Sequence, residues 1–333
     1  MEISLGERFD MPAVLVLGAG EIRELISMGE ALGVVEKAFR LGAEGKAVMP
    51  PKLYLELPDY HGDFRAMPCY VDGIAGLKWV CAYPDNRRHN LPSVIATIIL
   101  SDPKTGCPLA IMDGTYITEI RTGAAGGIAA KYLATGNSSV VGIVGAGVQA
   151  RTQLTAISQV LTEVRLVKVF DRNKDASLKY VRDMEAELNI DVRAVETVRE
   201  ATEADVVVTA TPSTTPVVSR QYIRAGTHIN AIGADAKGKQ ELEGELLKSA
   251  KVVVDDFGQA CHSGEINVPL SRGMLKVDEV YGTLGEVVAN AKRGRENDQE
   301  ITVFDSTGLA IQDIACARFV YEKAKGRKGS ASH

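Results

Sequence analysis

The sequence predicts an α/β protein in which a Rossmann-type, doubly wound parallel sheet is inserted into an α+β domain. From residue 139 onward, apolar strands alternate with helices, which is typical of a parallel sheet with right-handed crossovers. A glycine-rich turn follows the first of these strands. Residues 52–109 instead contain short β-rich runs broken by Pro, Gly, Asp and Asn, which indicates a mostly antiparallel sheet.

Length and charge restrict the class of protein. A chain of 333 residues is longer than one hydrophobic core usually serves, so we expect two domains. The net charge is −5, with Lys and Arg spread along the chain, which argues against a nucleic-acid partner. We find no apolar run of the roughly 18 residues that a membrane span requires and no basic-flanked signal segment. We therefore expect a cytoplasmic protein without a membrane partner.

The cysteines give no sign of a metal site. The five are widely separated and lack the paired spacing that is typical of zinc ligands. We expect them to be reduced packing residues, and we expect no bound metal.

The first part of the α+β domain is predicted to be residues 1–125. Apolar residues between Ser27 and Gly45 recur at helical spacing, which predicts an amphipathic helix. An Ala-rich helix is predicted over residues 117–134, and its glycines imply close backbone packing. The predicted strands are residues 53–57, 74–81 and 93–100.

The parallel-sheet domain is predicted to be residues 126–303. Its strands are predicted at residues 140–144, 164–170, 206–211, 228–232 and 251–255. After a further strand, the chain passes through Ser306-Thr307-Gly308 into an amphipathic helix. We expect this final segment, residues 304–333, to return to the first domain.

Residues 140–150 combine a buried strand, the pattern G-x-G-x-x-A and the start of a helix. Gly145 permits the tight turn, Gly147 lets the backbone approach a pyrophosphate, and the small Ala150 lets the helix pack on the strand. The amides of Val148 and Gln149 open this helix, where the helix dipole favours negative charge. The pattern therefore predicts a dinucleotide site.

The next strand ends at Asp171, which lies 24 residues beyond Gly147. A carboxylate there accepts hydrogen bonds from the adenosine ribose and repels a 2′-phosphate, so NAD is favoured over NADP. Arg172 follows immediately and provides a guanidinium that can bind that phosphate. NADP therefore stays the less favoured alternative.

Four basic residues stand in apolar or extended surroundings: Lys52, Arg65, Lys78 and Arg121. Buried cations are costly unless paired, and a bound carboxylate would pair with them. For each residue taken singly, an ion-paired or partly solvated side chain is the simpler explanation. Lys78 is the exception, because apolar residues flank it in a predicted buried strand. A desolvated lysine can transfer protons near neutral pH.

Several motifs together resemble the ornithine cyclodeaminase and mu-crystallin family across nearly the whole chain. They are residues 76–80 (GLKWV), 91–94 (LPSV), 121–125 (RTGAA), 233–235 (GAD), 238–242 (GKQEL) and 264–267 (GEIN). Within this family, three further motifs are similar to those of the archaeal alanine dehydrogenases: residues 49–52 (MPPK), 64–68 (FRAMP) and 304–310 (FDSTGLA). Cyclodeaminases usually carry Glu where Arg65 stands, which argues against ornithine cyclisation.

The resemblance implies roles for individual residues. Lys52, Arg65 and Lys78 would meet the substrate, and Arg121 would lie between its carboxylate and the nicotinamide. The NAD site would include Val148, Gln149, Asp171, Arg172, Ile232, Gly233, Ala234 and Ser306. Asp235 has two interpretations: it binds the substrate ammonium during catalysis, or it only caps the following turn.

The resemblance also implies an activity and an assembly. The expected reaction is the reversible, NAD-dependent oxidation of L-alanine to pyruvate and ammonia, with Lys78 managing protons. A cyclodeaminase, a cyclic-imine (ketimine) reductase and a non-catalytic NAD(P)H- or ligand-binding protein like mu-crystallin stay open as alternatives. A homodimer is expected, because no second layer is predicted over the β-rich segments and their apolar face must be covered.

Overall fold

Two β-sheets organise residues 12–330, the part of the chain that this computed structural model describes. Residues 1–11 and 331–333, which belong to the predicted first and last segments, lie outside the described residues. Within residues 12–330, one sheet is mostly antiparallel and the other is entirely parallel. The predicted fold class is therefore confirmed.

The described strands are, in chain order, β1 (Leu15–Leu17), β2 (Ala47–Val48), β3 (Leu53–Leu57), β4 (Gly62–Val71), β5 (Ile74–Ala82), β6 (Val94–Ser101), β7 (Pro108–Asp113), β8 (Val140–Val144), β9 (Leu166–Phe170), β10 (Asp191–Ala194), β11 (Val206–Thr209), β12 (His228–Ala231), β13 (Lys251–Val254), β14 (Gly282–Thr283) and β15 (Thr302–Asp305).

The described α-helices are α1 (Ala19–Leu25), α2 (Met28–Ala43), α3 (Thr115–Leu133), α4 (Val148–Val160), α5 (Lys174–Leu188), α6 (Val198–Thr202), α7 (Gly244–Lys248), α8 (Phe257–Ser263), α9 (Asn267–Ser271), α10 (Leu284–Val288) and α11 (Ala310–Ser330). Short 3-10 helices cover Pro58–Tyr60, Pro84–His89, Arg220–Tyr222 and Val277–Glu279. The predicted amphipathic helix is α2, which Ser27 caps by accepting a hydrogen bond from the Glu30 amide.

The antiparallel sheet has the order β1-β7-β6-β5-β4-β2, and β3 also pairs with β4. In the β4–β5 ladder, Arg65 lies opposite Val80 and Met67 lies opposite Lys78. Because side chains alternate between the two faces of a strand, Arg65 and Lys78 share one face of the sheet. That face is covered by α3 and α11.

The parallel sheet has the order β10-β9-β8-β11-β12-β15-β13-β14. The carboxyl ends of parallel strands lie at one edge, and ligands of open α/β sheets bind in the crevice outside that edge. The residues that follow β8, β9, β12 and β15 therefore converge there. These are the positions of the glycine-rich turn, Asp171, the 232–235 segment and Ser306.

Helix α3 joins the two sheets by packing closely on α4. A Cβ at Gly123 would lie 2.5 Å from the Thr152 carbonyl oxygen, and a Cβ at Gly126 would lie 1.8 Å from Gln153 Oε1. The close packing that these glycines imply is therefore present. The predicted domain limit at 125/126 falls inside α3, and the limit at 303/304 falls inside β15. Both limits stay predictions.

A buried polar network connects α3 to the parallel sheet. His228 Nδ1 lies 2.9 Å from Thr302 Oγ1, and His228 Nε2 lies 2.9 Å from Asn230 Oδ1. Asn230 Nδ2 donates to Gln153 Oε1 at 3.1 Å, and Gln153 Nε2 donates to the Thr122 carbonyl at 2.7 Å. Burial lowers the pKa of His228 to about 3, so this imidazole is neutral at physiological pH.

The described residues also bear on membranes and metals. In residues 12–330, no helix is long and apolar enough to cross a membrane. In the same range, no cluster of three or more His, Cys, Asp or Glu side chains is arranged to hold a metal ion. The five cysteines are free thiols.

Candidate active site

A cavity between the two sheets brings together predicted site residues from both. From the antiparallel-sheet side and α3 it is lined by Lys52, Arg65, Lys78 and Arg121. From the parallel-sheet side it is lined by Gln149, Ile232, Asp235 and Ser306. The four basic side chains singled out in the sequence therefore face one space, together with residues next to the glycine-rich turn.

Lys78 and Arg121 share a buried counter-ion, Asp313, on the first turn of α11. Lys78 Nζ lies 2.7 Å from Asp313 Oδ2, and Arg121 Nε lies 2.8 Å from Asp313 Oδ1. Lys78 is 1% exposed and Asp313 is 0% exposed. Burial, with the positive charge of Arg121, lowers the pKa of Lys78 to about 7 despite the attraction of Asp313. Lys78 can therefore exchange a proton near neutral pH.

Sequence reasoning missed Asp313. The residue lies on the apolar face of its helix, since Ala310, Cys316 and Ala317 occupy positions three or four residues away and are buried. An acid on such a face needs a buried partner. That pattern is the signal that could have identified it.

Arg65 makes ion pairs with two carboxylates. Its Nε and Nη2 donate to the two oxygens of Asp63 at 2.7 and 3.1 Å, and its Nη1 lies 3.1 Å from Asp235 Oδ2. Lys239 Nζ lies 2.5 Å from Asp235 Oδ1. Although burial opposes ionisation, the charges of Lys239 and Arg65 lower the pKa of Asp235. Asp235 is therefore an anion with two cations beside it.

The turn after Asp235 is held by another residue. Asn267 Oδ1 accepts a hydrogen bond from the Gly238 amide at 3.0 Å, and Asn267 Nδ2 donates to the Lys239 carbonyl at 3.0 Å. The Asp235 carboxylate contacts Arg65 and Lys239 instead. One interpretation of Asp235 was that it caps this turn. The contacts that such a cap would make are made by Asn267.

Lys52 binds the loop that follows β15. Its Nζ donates to the Thr307 carbonyl at 2.6 Å, and burial lowers the pKa of Lys52 to about 8. The loop is fixed from behind by Asp255, whose Oδ2 accepts from the amides of Thr307 and Gly308, both at 2.7 Å. Gly308 has φ +78°, and a Cβ there would lie 2.5 Å from Arg121 Nη1. A glycine is therefore required to make room for this guanidinium.

The glycine-rich turn has the geometry of a dinucleotide site. Gly145 has φ +97°, and a Cβ there would lie 2.7 Å from the Ala210 carbonyl oxygen. Around a Cβ placed on Gly147, by contrast, no heavy atom of residues 12–330 lies within 4 Å apart from immediate neighbours. Gly147 is the N-cap of α4, and no described side chain caps it. The amides of Val148 and Gln149 are therefore available to an anion beside an open backbone.

Asp171 follows β9 and reaches back to this turn. Its Oδ2 accepts from the Ala146 amide at 2.9 Å, and its Oδ1 accepts from the Asn173 amide at 2.8 Å. Asp171 is partly exposed, and Arg172 beside it is exposed. The carboxylate thus lies next to the glycine-rich turn, where a ribose hydroxyl would be bound.

The residues that follow β12 and β15 complete the cofactor side. Ile232 and Ala234 are buried, and a Cβ on Gly233 would lie 2.1 Å from the Thr211 carbonyl oxygen. The hydroxyl of Ser306 is buried and has no hydrogen-bond partner among the described residues. An unpaired buried hydroxyl and the open backbone at Gly147 both fit a bound dinucleotide.

Comparison with known proteins agrees with these features. The model of the ornithine cyclodeaminase/mu-crystallin family matches residues 13–328. Alanine dehydrogenase of Archaeoglobus fulgidus is 55% identical over 310 residues, covering 93% of this chain and 95% of that protein.

Two solved structures are similar over nearly their full length. An archaeal alanine dehydrogenase dimer with bound NAD has a TM-score of 0.91 and 54% identity, covering 95% of this chain and 97% of that chain. The Δ1-pyrroline-2-carboxylate reductase of Thermococcus litoralis, in complex with NADH and L-proline, has a TM-score of 0.92 and 41% identity. The coverage is 95% of this chain and 98% of that chain.

Proposed function

Since the chain belongs to the ornithine cyclodeaminase/mu-crystallin family, we propose that it is an NAD-dependent oxidoreductase that interconverts L-alanine with pyruvate and ammonia. The observation that carries the proposal is the buried Lys78, which faces the same cavity as Gln149 and Ser306 of the cofactor side. The 55% identity to an alanine dehydrogenase over 93% of the chain supports the choice of substrate.

The cofactor would be held by residues around the glycine-rich turn and at the ends of the neighbouring strands. The α4 amides of Val148 and Gln149, at the positive end of the helix dipole, would bind the pyrophosphate beside Gly145 and Gly147. Asp171, next to Arg172, would accept hydrogen bonds from the adenosine ribose. Ile232, Gly233 and Ala234 would line the site, and the Ser306 hydroxyl would donate to the bound group. When bound, NAD supplies the acceptor for a hydride from the substrate α-carbon.

The substrate carboxylate would enter a cavity with an excess of positive charge. Lys52, Arg65 and Arg121 line this space, and charge-assisted hydrogen bonds orient a carboxylate strongly. Lys78, as the neutral amine, would accept the proton of a water that attacks the oxidised α-carbon. As the ammonium, it would return a proton to the departing amine. The protein thus contributes orientation and proton transfer.

The ion pairs of Asp235 favour a small substrate. A cyclodeaminase substrate carries a second, distal ammonium, which needs a free acid. Here the acid nearest the cavity is already neutralised by Arg65 and Lys239. In the proposed reaction, Asp235 acts in catalysis by orienting Arg65.

A second candidate is the reduction of a cyclic imine. It is favoured by the 41% identity to a Δ1-pyrroline-2-carboxylate reductase. This reaction needs the same carboxylate and hydride geometry, with a ring-closed substrate.

One substrate panel tests these alternatives, read as the change in NADH and NADPH absorbance. We expect NADH formation with L-alanine and NADH consumption with pyruvate plus ammonium. Consumption with Δ1-pyrroline-2-carboxylate alone would identify a reductase, and ammonia release from ornithine without net NADH change would identify a cyclodeaminase. Cofactor binding without turnover of any substrate would identify a binding protein. The variant Lys78→Met provides the background rate.

We also propose a homodimer formed through the outer face of the antiparallel sheet. The strand registers align a row of apolar residues across this face, namely Val16, Ile111, Ile99, Leu77 and Pro68. Three of them are well exposed in the single chain: Val16 (68%), Ile111 (40%) and Ile99 (37%). A contiguous apolar face of this kind indicates an interface, and the similar archaeal structure is a dimer.

A cytoplasmic location is part of the proposal. All five cysteines are free thiols, and free thiols persist in reducing compartments. Cell fractionation with a cytoplasmic marker enzyme tests this location.

A further inference from the structure

Helix α11 inserts a carboxylate between two of the cations in the cavity. Asp313 is fully buried, and each of its oxygens has a different partner, Lys78 Nζ at 2.7 Å and Arg121 Nε at 2.8 Å. Lys78 comes from β5, Arg121 from α3 and Asp313 from α11. One side chain thus connects three elements, two of which contribute the cavity-lining residues Lys78 and Arg121.

The neighbours of Arg121 strengthen this arrangement. Gln312 Oε1 accepts from Arg121 Nη1 at 3.0 Å, and Gly308 leaves the space that the guanidinium occupies. The adjacent residues Gln312 and Asp313 therefore hold Arg121 through two different nitrogen atoms, Nη1 and Nε. The Nη2 group is outside both contacts and remains for a ligand carboxylate.

The charges around Asp313 are unequal. One carboxylate faces two cations, and Lys52 adds a further positive charge that lowers the pKa of Lys78. Burying an ion pair is favourable only when its geometry and hydrogen bonds are good. The surplus positive charge attracts an incoming carboxylate. The two oxygens of Asp313 fix the separation of Lys78 from Arg121.

We propose that Asp313 is a positioning residue of the reaction, which holds the Lys78 amine and the Arg121 guanidinium at a fixed separation so that both meet one bound substrate. This inference rests on the proposed function. Asp313 does not itself contact the substrate, and it acts through its two partners.

The proposal has a consequence for the pH profile. The groups that face Lys78 are Asp313, Arg121, Lys52 and the Thr118 hydroxyl. Cys69 and Cys316 also lie near Asp313, and both thiols have raised pKa values because they are buried. Of these groups, Asp313 alone raises the pKa of Lys78. Removing its charge must therefore move the titration of Lys78 to lower pH.

The test is Asp313→Asn, which keeps the shape and removes the charge. We expect kcat/KM for L-alanine to fall at least about tenfold, since a positioned proton-transfer group is displaced. We also expect the rising limb of the pH profile to move to lower pH, with NADH affinity, measured by fluorescence, within about twofold of the wild-type value. Wild-type kcat/KM with an unmoved limb would overturn the proposal. So would a lowered melting temperature with weakened NADH binding and an unmoved limb, because a merely structural role predicts that result.

Two further variants complete the design. Asp72→Asn is the matched control, because Asp72 also pairs with two cations, Lys37 and the α11 residue Arg318, and lies outside the cavity lining. We expect it to leave alanine kinetics unchanged. Asp313→Glu keeps the charge on a longer side chain, so kcat/KM should fall while the pH limb stays in place. If Asp313→Asn does not fold, wild-type kinetics of Asp313→Glu would overturn the proposal. Inactivity of the wild-type protein with alanine would instead overturn the proposed function.

Discussion

Arg65 and Asp235 form an ion pair across the cleft between the two sheets, with Arg65 Nη1 3.1 Å from Asp235 Oδ2. Arg65 belongs to β4 of the antiparallel sheet, and Asp235 follows β12 of the parallel sheet. Asp63 holds the remaining edge of the guanidinium. The pair joins the substrate side of the cavity to the cofactor side, so a change at Arg65 affects both.

Substitutions of Arg65 should separate an alanine dehydrogenase from a cyclodeaminase. We expect Arg65→Lys to raise KM for pyruvate severalfold or more, because lysine keeps the charge but loses the planar fork. We expect Arg65→Glu to abolish alanine oxidation, because a third carboxylate beside Asp63 and Asp235 repels the substrate carboxylate. Steady-state kinetics in both directions measure these effects.

The variant Asp63→Asn is the control for Arg65. The substitution weakens the contact of residue 63 with the Arg65 guanidinium and leaves the guanidinium charge in place. The KM of this variant for pyruvate should therefore lie between those of the wild type and Arg65→Lys. Undiminished alanine turnover in Arg65→Glu would mean that Arg65 does not contact the substrate.

Lys78→Met should lower kcat at least about a hundredfold, the scale expected when a positioned acid or base is removed. NADH affinity should change little, because Lys78 lies on the substrate side. Lys251→Met is the matched control: Lys251 is also mostly buried and ion-paired, with Glu296 and Glu300, but lies outside the cavity lining. Near-normal turnover of Lys78→Met would remove Lys78 from the mechanism.

The pH dependence of the wild-type enzyme should reflect Lys78. Its pKa is lowered to about 7, so the neutral amine that accepts a proton forms as pH rises through that value. We therefore expect kcat/KM for alanine oxidation to rise through about pH 7. A profile without a limb between pH 6 and pH 8 would contradict the assignment.

Asp171→Ala should weaken NADH binding and improve the relative use of NADPH. The substitution removes both an acceptor for ribose hydroxyls and a charge that repels a 2′-phosphate. Asp171→Asn is the control, because it retains one acceptor oxygen for the Ala146 amide without the charge. If the wild-type protein already prefers NADPH, Arg172 dominates cofactor choice.

Ile99→Lys should dissociate the proposed dimer, because it places a charge at the centre of the apolar row on the antiparallel sheet. Light scattering at micromolar concentration should give the mass of a dimer for the wild type and of a monomer for the variant. Val277→Lys introduces the same charge at an exposed position of the other domain and should stay dimeric. A monomeric wild-type protein would contradict the proposal.

His228 should make the fold sensitive to mild acid. Its pKa falls from 6.5 to about 3 on folding, so the unfolded chain binds the additional proton between these values. The stability that neutral His228 supports is present above pH 6.5 and is lost as pH falls, by about 2 kcal/mol between pH 6.5 and pH 5. His228→Gln should show a smaller loss in urea unfolding over this range. Equal losses in both proteins would exclude His228 as the cause.

Local patterns in the sequence predicted the cofactor side well. Strand β8, the glycine-rich turn and the end of α4 at Val160 follow one another without interruption, so neighbouring residues alone define them. The same holds for Asp171 at the end of the next strand. These features depend on backbone geometry over short distances along the chain.

Other features depend on contacts that no local pattern shows. Asp313 has the environment of a site residue only because α11 packs against β5 and α3, which places it beside Arg121, 192 residues earlier. Strand β4 was not predicted, and it contains Pro68. Its ladder with β3 reaches Ala66 and its ladder with β2 begins at Tyr70. Pro68 therefore lies between the two ladders, where its missing N–H costs little.

The docking of α11 onto the antiparallel sheet also sets an order of events during folding. The contact between Lys52 and Thr307 spans 255 residues, and the contact between Arg121 and Asp313 spans 192. Contacts between such distant segments form slowly, because the entropy of closing the intervening loop must be overcome first. The glycine-rich turn, by contrast, lies within one continuous strand-helix unit. A refolding chain should therefore regain nucleotide binding before turnover, because the cations around Asp313 come together late in folding.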